Sequence, residues 1–579
     1  MSPRWRLLCS FVPSRVRACG PLLVLFLVAA GCQSGPPARA TAPAAAQPAA
    51  TPKKVTAVIR GTPKVLSVAI DSAGAGQTKG LSEIEQLVNN GLAAVDNTGE
   101  LQPRLAEAVP TTENGLWKVL PDGRMETTWN LRQNAAWQDG SPLTAADLIF
   151  TAAVARDKSL AIVSDPAFDA IEALDAPDPR TLVVTWSKPF IDADRLFTNT
   201  DSTTIMPMPQ HLLGQAYAGD HDTFLDLSYW NRDFVGAGPF KLSAWVPDSH
   251  LILIANDLYV LGRPKIDEID VKFIDDASVT VANILAGAVD LTLRAGLSFE
   301  QGQQLTSEWQ EGRVERSFSA LPTLFPQFIN PVPAAVADVR FRRAVTMAMD
   351  RRQLSQTFGG GGPVADSPYP PGTSEYRAVE QSIVRYGFDP RSALQLLDTL
   401  GYTRGSDGSV RDGSQQELSV EIQTTIDDLR QKLVLAIRDY WQKVGVGVDP
   451  VIVPRQASKD RELRATFSGF DFTVSPSVPT RFESSSIPLP KNGFRGNNRS
   501  RYSNPDLDTL IAKYFVTIPK QERLNILGEM VHIQTDQLVT IGIFFVAEPA
   551  AVSNRLRNYH PPTQRDGTLS WNAQEWDLT

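Results

Sequence analysis

The stretch from Leu131 to Phe150 constrains this chain more tightly than any other. Asp139-Gly140-Ser141-Pro142 is a run of turn formers, and Thr144 followed three residues later by Asp147 has the spacing of a capping box, in which exposed helix donors are satisfied reciprocally. The spacing predicts a strand that turns sharply into a capped helix.

The N-terminus reads as an export signal. Arg4, Arg6, Arg15 and Arg17 form a basic leader, Pro21 to Ala30 a short apolar core, and Ala29-Ala30-Gly31 places small residues before Cys32. That order predicts a lipoprotein signal over 1–31 with Cys32 as the lipidated residue; an ordinary signal peptide is the alternative. The apolar core is too short to span a bilayer, and no later segment is long and uncharged enough to do so. Acyl chains are then the expected membrane attachment.

Cleavage before Cys32 removes Cys9 and Cys19 and leaves one cysteine, which forbids an internal disulfide and a cysteine-based zinc site. It also removes four arginines and no acids, so 56 basic and 64 acidic residues become 52 and 64, a net charge of −12. Such an acidic protein is a poor partner for nucleic acid. Gln33 to Lys54 is dominated by Ala, Pro, Thr, Ser and Gly and predicts a disordered tether over 32–54.

The remaining five hundred and more residues mix strands and helices without regular alternation, which predicts an α/β fold assembled from non-contiguous pieces. Val65 to Ile70, Thr181 to Trp186, Leu251 to Ala255 and Leu418 to Ile422 have strand patterns. Asp389-Pro390 caps a helix with Ala393, Leu396, Leu397 and Leu400 on one stripe and Gly401 as its stop. Phe341, Ala344, Val345 and Ala348 repeat that spacing. Leu433, Ile437, Tyr440, Trp441 and Val444 predict a further helix, followed by a strand through Val446 and Val448. Helical spacing assigns its Trp and Tyr to core rather than to a ligand platform.

No enzyme signature stands out, and no catalytic residue, metal ligand or cofactor is assigned. Gly359 to Gly362 lacks the Lys-Ser/Thr pair of a phosphate loop and reads as a flexible loop. The five histidines, His211, His221, His250, His532 and His560, have no metal-ligand or nucleophile spacing. Asp275-Asp276 and Asp427-Asp428 read as solvated turns rather than general acid/base pairs.

The segment Leu131-Arg132, Trp137, Asp139-Gly140, Pro142, Thr144-Ala145 and Asp147 resembles the corresponding stretch of the extracellular solute-binding proteins of ABC importers, family 5, the dipeptide, oligopeptide and nickel type. The resemblance runs on in order. It takes in Gly99, Pro103 and Leu105-Ala106-Glu107; Asp175 to Thr181; Gly236-Ala237-Gly238-Pro239-Phe240; Asn256 with Tyr259; Gly287 to Asp290; Arg342-Arg343-Ala344; and Gly401-Tyr402.

This resemblance implies a two-lobed periplasmic-binding-protein-like α/β fold (type II) with an additional domain inserted in the first lobe. Lobe I is expected from 62–100, 201–316 and 541–579, the extra domain from 101–200, and lobe II from 317–540, with hinges near Ser317 to Phe325 and Thr540 to Phe545. It implies a lipid-anchored, monomeric receptor in the bacterial envelope, facing the periplasm or cell exterior. That receptor would enclose a small polar solute, peptide-like or other, and deliver it to a permease and ATPase complex. A sensor, chaperone or interaction module on the same fold is the alternative, and a secreted hydrolase a distant third.

In peptide-binding members an aromatic residue, then an acid that pairs with the peptide amine, follow a Phe-Asp strand. Counting from Phe470-Asp471, Ser477 stands near the aromatic position and Thr480 near the acid, so both anchors are expected to be missing. Glu483 either replaces the acid or is an exposed structural residue. Ser475, Ser477, Thr480, Arg481 and Glu483 are the expected ligand contacts, Arg481 either clamping a carboxylate or forming a surface ion pair.

Overall fold

The computed structural model describes residues 51–579 apart from 72–77, 163–166, 200–204, 220, 295–296, 455, 458–459, 475–476 and 563–566. The basic leader, Cys32 and nearly all of the tether segment lie outside the described residues, as does Ser475.

Two sheets organise the described chain. A seven-stranded sheet runs in the order Gly312–Ala320, Val546–Ser553, Leu291–Thr292, Lys54–Ile59, Glu268–Phe273, His250–Ala255, Phe240–Val246. Lys54–Ile59 lies parallel to both its neighbours, and its apolar residues Val55, Ala57, Val58 and Ile59 are buried. This corrects two boundaries, since the tether was expected to include Lys54 and lobe I to begin at 62. The β-branched run that follows the Ala/Pro-rich stretch gains a ladder on each side, which outweighs the disorder bias of its flank.

A five-stranded sheet has the order Gly447–Val453, Ser419–Thr425, Phe470–Val474, Pro322–Pro326, Ile541–Gly542. The first three strands are mutually parallel, and Pro322–Pro326 is antiparallel to Phe470–Val474. The chain passes from the first sheet to the second between Ala320 and Pro322 and returns between Gly542 and Val546. Both crossings lie side by side, because their flanking strands pair on each side.

The turn and the capped helix of the signature segment form as the spacing predicts, whereas the strand expected before them is reduced to isolated bridges at Leu131 and Ala136, the last full strand ending at Asn130. Ser141 N–H donates to Asp139 Oδ1 at 2.9 Å, closing the turn, and Thr144 caps the helix Ala145–Arg156 with its N–H on Asp147 Oδ2 at 2.8 Å. Gln138, buried just before the turn, donates to the carbonyls of Val88 and Phe240 at 2.8 and 2.7 Å and accepts from Gly236 N–H at 3.0 Å. Leu131 N–H on Arg180 O at 2.7 Å and Ala145 N–H on Pro179 O at 2.8 Å tie the same segment to a four-stranded antiparallel sheet ordered Trp117–Val119, Met125–Asn130, Thr181–Trp186, Ile171–Asp178.

Asp389 caps Pro390–Thr399, and Val339–Met347 buries Phe341, Ala344 and Val345. Asp428–Lys443 buries Leu433, Ile437 and Trp441, whose ring meets Phe470 edge-on at 5.4 Å. Trp441 is thus core, as helical spacing requires. Asp276 and Asp427 accept first-turn N–H groups of the helices that follow them, so each acid pair begins a helix rather than a simple turn.

Two local expectations are corrected. Val65 to Ile70 is not a strand: Leu66 N–H donates to Trp230 O at 2.7 Å and Val68–Asp71 closes a helical turn through Asp71 N–H on Ser67 O. Burial of Leu66, Val68 and Ala69 against the first core overrides their strand propensity. The glycines at 359–362 form a packed loop rather than a loose one, since a Cβ on Gly362 would stand 1.9 Å from the Phe545 carbonyl oxygen at the return crossing.

Candidate ligand-binding site

Alternation along the five-stranded sheet separates two faces. Leu324, Ile422, Phe470 and Phe472 point into the core beneath the helix of Trp441. Phe325, Asp471 and Gln423 form a row across the opposite face, with Thr323 and Thr473 in the next row. Residues 461–465 and 481–499, on either side of the strand Phe470–Val474, wall the space at this polar face and supply most of its charge.

There an open cavity of about 420 Å³ is lined by Arg461, Arg464, Arg481, Arg495 and Arg499, together with Phe325, Phe482 and Phe494. None of its described lining residues is acidic. An adjoining space of about 220 Å³ shares Arg464 and Arg499 and adds Arg430, Asp471, Gln423, Thr425 and Thr473. It lies at the carboxyl ends of the parallel strands, where α/β sheets commonly place ligands. Asp471, 5% exposed, accepts from Arg499, and Arg430 donates to Thr425 Oγ1 at 2.5 Å.

The electrostatics follow from this crowding. Desolvation and the neighbouring Arg499 charge lower the pKa of Arg464, which Asp471 opposes. The same two effects lower that of Arg481. Each guanidinium is therefore held beside another cation.

Of the expected contacts, Arg481 reaches the cavity from the turn Pro479–Phe482. Ser477 is buried, and its carbonyl accepts from Gln534 Nε2 at 2.6 Å. Thr480 lies half-buried in the same turn as Arg481, and the carbonyl of half-buried Glu483 accepts from Asn498 Nδ2 at 3.2 Å. None of Ser477, Thr480 and Glu483 lines the cavity. The arginines at 461, 464, 495 and 499 were not expected from sequence. A signal existed, since Arg455 to Arg501 carries nine basic residues against four acids in a chain with net charge −8.

A second cavity, about 640 Å³, lies between residues 99–195 and residues 369–527. Lys520 Nζ donates to Glu100 Oε2 at 2.6 Å across this seam. Asp194, on the same wall, has its carboxyl pushed up to about 6 by desolvation, with the Arg195 charge opposing.

Two α/β sheets joined by paired crossings, with a cavity at the polar face of the second, define a solute-binding fold. The family model described as bacterial extracellular solute-binding proteins, family 5 Middle, matches residues 100–488, and the chain belongs to that family. Its members are extracellular solute-binding components of ABC importers and work with a membrane permease. The oligopeptide-binding protein AppA of Bacillus subtilis is 23% identical over 508 residues, 86% of this chain and 87% of that one. Heme-binding protein A of Haemophilus influenzae is 24% identical over 502 residues, 82% and 84% of the two chains. The solved structure of NikA from Brucella suis in complex with Fe(III)-EDTA superposes with a TM-score of 0.67 at 18% identity, covering 91% of this chain and all of that one. These likenesses agree on the fold and differ in the ligand.

Proposed function

We propose that this chain is a lipid-anchored, monomeric receptor that closes two lobes on a small polar solute and hands it to an ABC permease. Lobe I is taken as 54–100, 201–316 and 541–579, the extra domain as 101–200 and lobe II as 317–540. One observation carries the reading: the two crossings, Ala320 to Pro322 and Gly542 to Val546, run side by side. Paired connections of this kind let two lobes rotate as rigid bodies while a few residues absorb the dihedral change. Arg481 is the expected residue best placed to touch the solute; the carbonyls of Ser477 and Glu483 anchor the loop that carries it, and Thr480 shares its turn.

The seam cavity supports closure too, because the Lys520–Glu100 contact is a polar bridge that a modest rotation can make or break. A thermal-shift screen of peptides, amino acids, sugars and metal chelates should identify a stabilising solute. Cells lacking the gene should then fail to accumulate that compound in a labelled uptake assay. Undiminished uptake by such cells would remove the transport reading while leaving the binding one intact.

A further inference from the structure

The arginine-walled cavity narrows the cargo further, on the premise that the chain captures a solute. We propose that this wall recognises a small polyanion, a solute with at least two phosphate or carboxylate groups, rather than a neutral or cationic compound.

The arginines converge from separate pieces of chain. Arg461 and Arg464 stand three residues apart on the helix Arg461–Ala465, Arg481 on the turn Pro479–Phe482, and Arg495 and Arg499 on the loop that follows. Three elements thus aim five guanidiniums at one space, and the adjoining space contributes Arg430. Asp471 is the only acid lining either space among the described residues, and Arg499 already engages it. Asp427 lies 4.0 Å from Arg430 just outside the lining, so two carboxylates stand against six guanidiniums and positive charge still predominates here in a protein whose net charge is −8. Chance placement in an acidic chain would intersperse acids among these arginines, and surface charge that serves solubility does the same.

The loop that presents Arg495 and Arg499 is built rather than draped. Asn498, wholly buried between them, donates to the carbonyls of Phe482, Glu483 and Tyr502 at 3.1, 3.2 and 2.7 Å and accepts from Tyr502 N–H at 3.1 Å. At Gly496 a Cβ would stand 2.0 Å from the Ser486 carbonyl oxygen, at φ 141°, so the backbone can approach there only as glycine. These contacts fix the backbone that carries Arg495 and Arg499 before any ligand arrives, which lowers the ordering cost of binding.

Guanidinium forks match carboxylate and phosphate oxygens two at a time, and several in one open cavity reward a ligand with several such groups. Like charges held together also repel, and a matching polyanion relieves that repulsion on entry. Phe325, Phe482 and Phe494 add apolar surface for the carbon frame of the solute. About 420 Å³ suits a small molecule rather than an extended polymer.

The experiment is isothermal titration calorimetry on the purified full-length chain at low salt. Four probes are used: pyrophosphate, citrate, Fe(III)-EDTA and trialanine. The expected result is micromolar binding of at least one anion, with pyrophosphate against citrate and the chelate deciding between phosphate and carboxylate. Affinity should fall at least tenfold in the doubly substituted Arg464→Gln, Arg495→Gln chain, whose circular dichroism and melting curve report that it still folds. It should also fall as salt is raised. Anion binding that the double substitution leaves unchanged overturns the assignment of this wall. Binding of trialanine alone overturns the polyanion proposal and leaves solute capture standing. No binding of any probe also overturns the polyanion proposal, and the uptake assay then judges capture independently.

Discussion

Glu83 and Ser570, 487 residues apart, are joined in the interior of the first core: the buried Glu83 carboxylate accepts from Ser570 N–H at 3.0 Å and from its hydroxyl at 2.9 Å. Arg294 Nε completes the site at 3.1 Å from the other carboxylate oxygen. An early helix, a mid-chain loop and the C-terminal segment therefore close on one charge.

Glu83→Ala should destabilise the protein by roughly 3–5 kcal/mol, because it removes the carboxylate facing the Arg294 charge and the acceptor of the buried Ser570 N–H. Ser570→Ala should cost only about 1 kcal/mol, since Arg294 still neutralises the acid. Urea unfolding curves at neutral pH give both values. Equal losses would show that the hydroxyl, rather than the charge, holds the C-terminal segment.

Asp194 gives the stability a sign with pH. Desolvation pushes its folded pKa up to about 6, above the 3.8 of an ordinary aspartate, so between those values the folded protein binds more protons than the unfolded chain. Its contribution is thus lost as pH rises from about 4 to 6 and stays lost above that window. Asp194→Asn should flatten this part of the melting profile and raise the midpoint above pH 6. A variant less stable than the parent at pH 7 would mean that the Arg195 and Arg523 charges hold the carboxylate ionised.

Membrane attachment through Cys32 is tested by fractionation. Cys32→Ser should leave the protein unprocessed or move it out of the membrane fraction. Unchanged processing and unchanged membrane association would exclude a lipoprotein.

Ordinary free-amine di- and tripeptides should bind weakly or not at all. A buried ammonium needs a carboxylate, Thr480 stands near the expected acid, and the lining of the cavity at Arg481 is cationic. Calorimetry with a set of tripeptides measures this directly. Micromolar affinity untouched by Arg481→Ala and Glu483→Ala would place the peptide anchors elsewhere in the cleft.

Sequence by itself reached the parts of this protein whose cause is local. Thr144 with Asp147, Asp389 with Pro390, and the stripe through Leu433, Ile437 and Trp441 are determined by neighbours three and four residues away, so their helices appear in the structure as spacing requires. The ordered motifs from Gly99 to Tyr402 brought with them the family and hence the two-lobed fold. Local reasoning failed at Val65 to Ile70, where burial against Trp230 decided the conformation, and at Gly359 to Gly362, where the return strand did.

The wall of the cavity was beyond local reasoning for the same reason. Arg461, Arg481 and Arg499 are 20 and 18 residues apart in sequence, and each alone reads as an ordinary surface charge. Strand pairing between Phe325 and Asp471, and the burial of Asn498, bring them over one face of one sheet. Charge acts through space and falls off with distance in the fold, not with distance along the chain. The chain's chemistry was therefore written in its residue types, while the tertiary structure alone decided which of those residues face the same ligand.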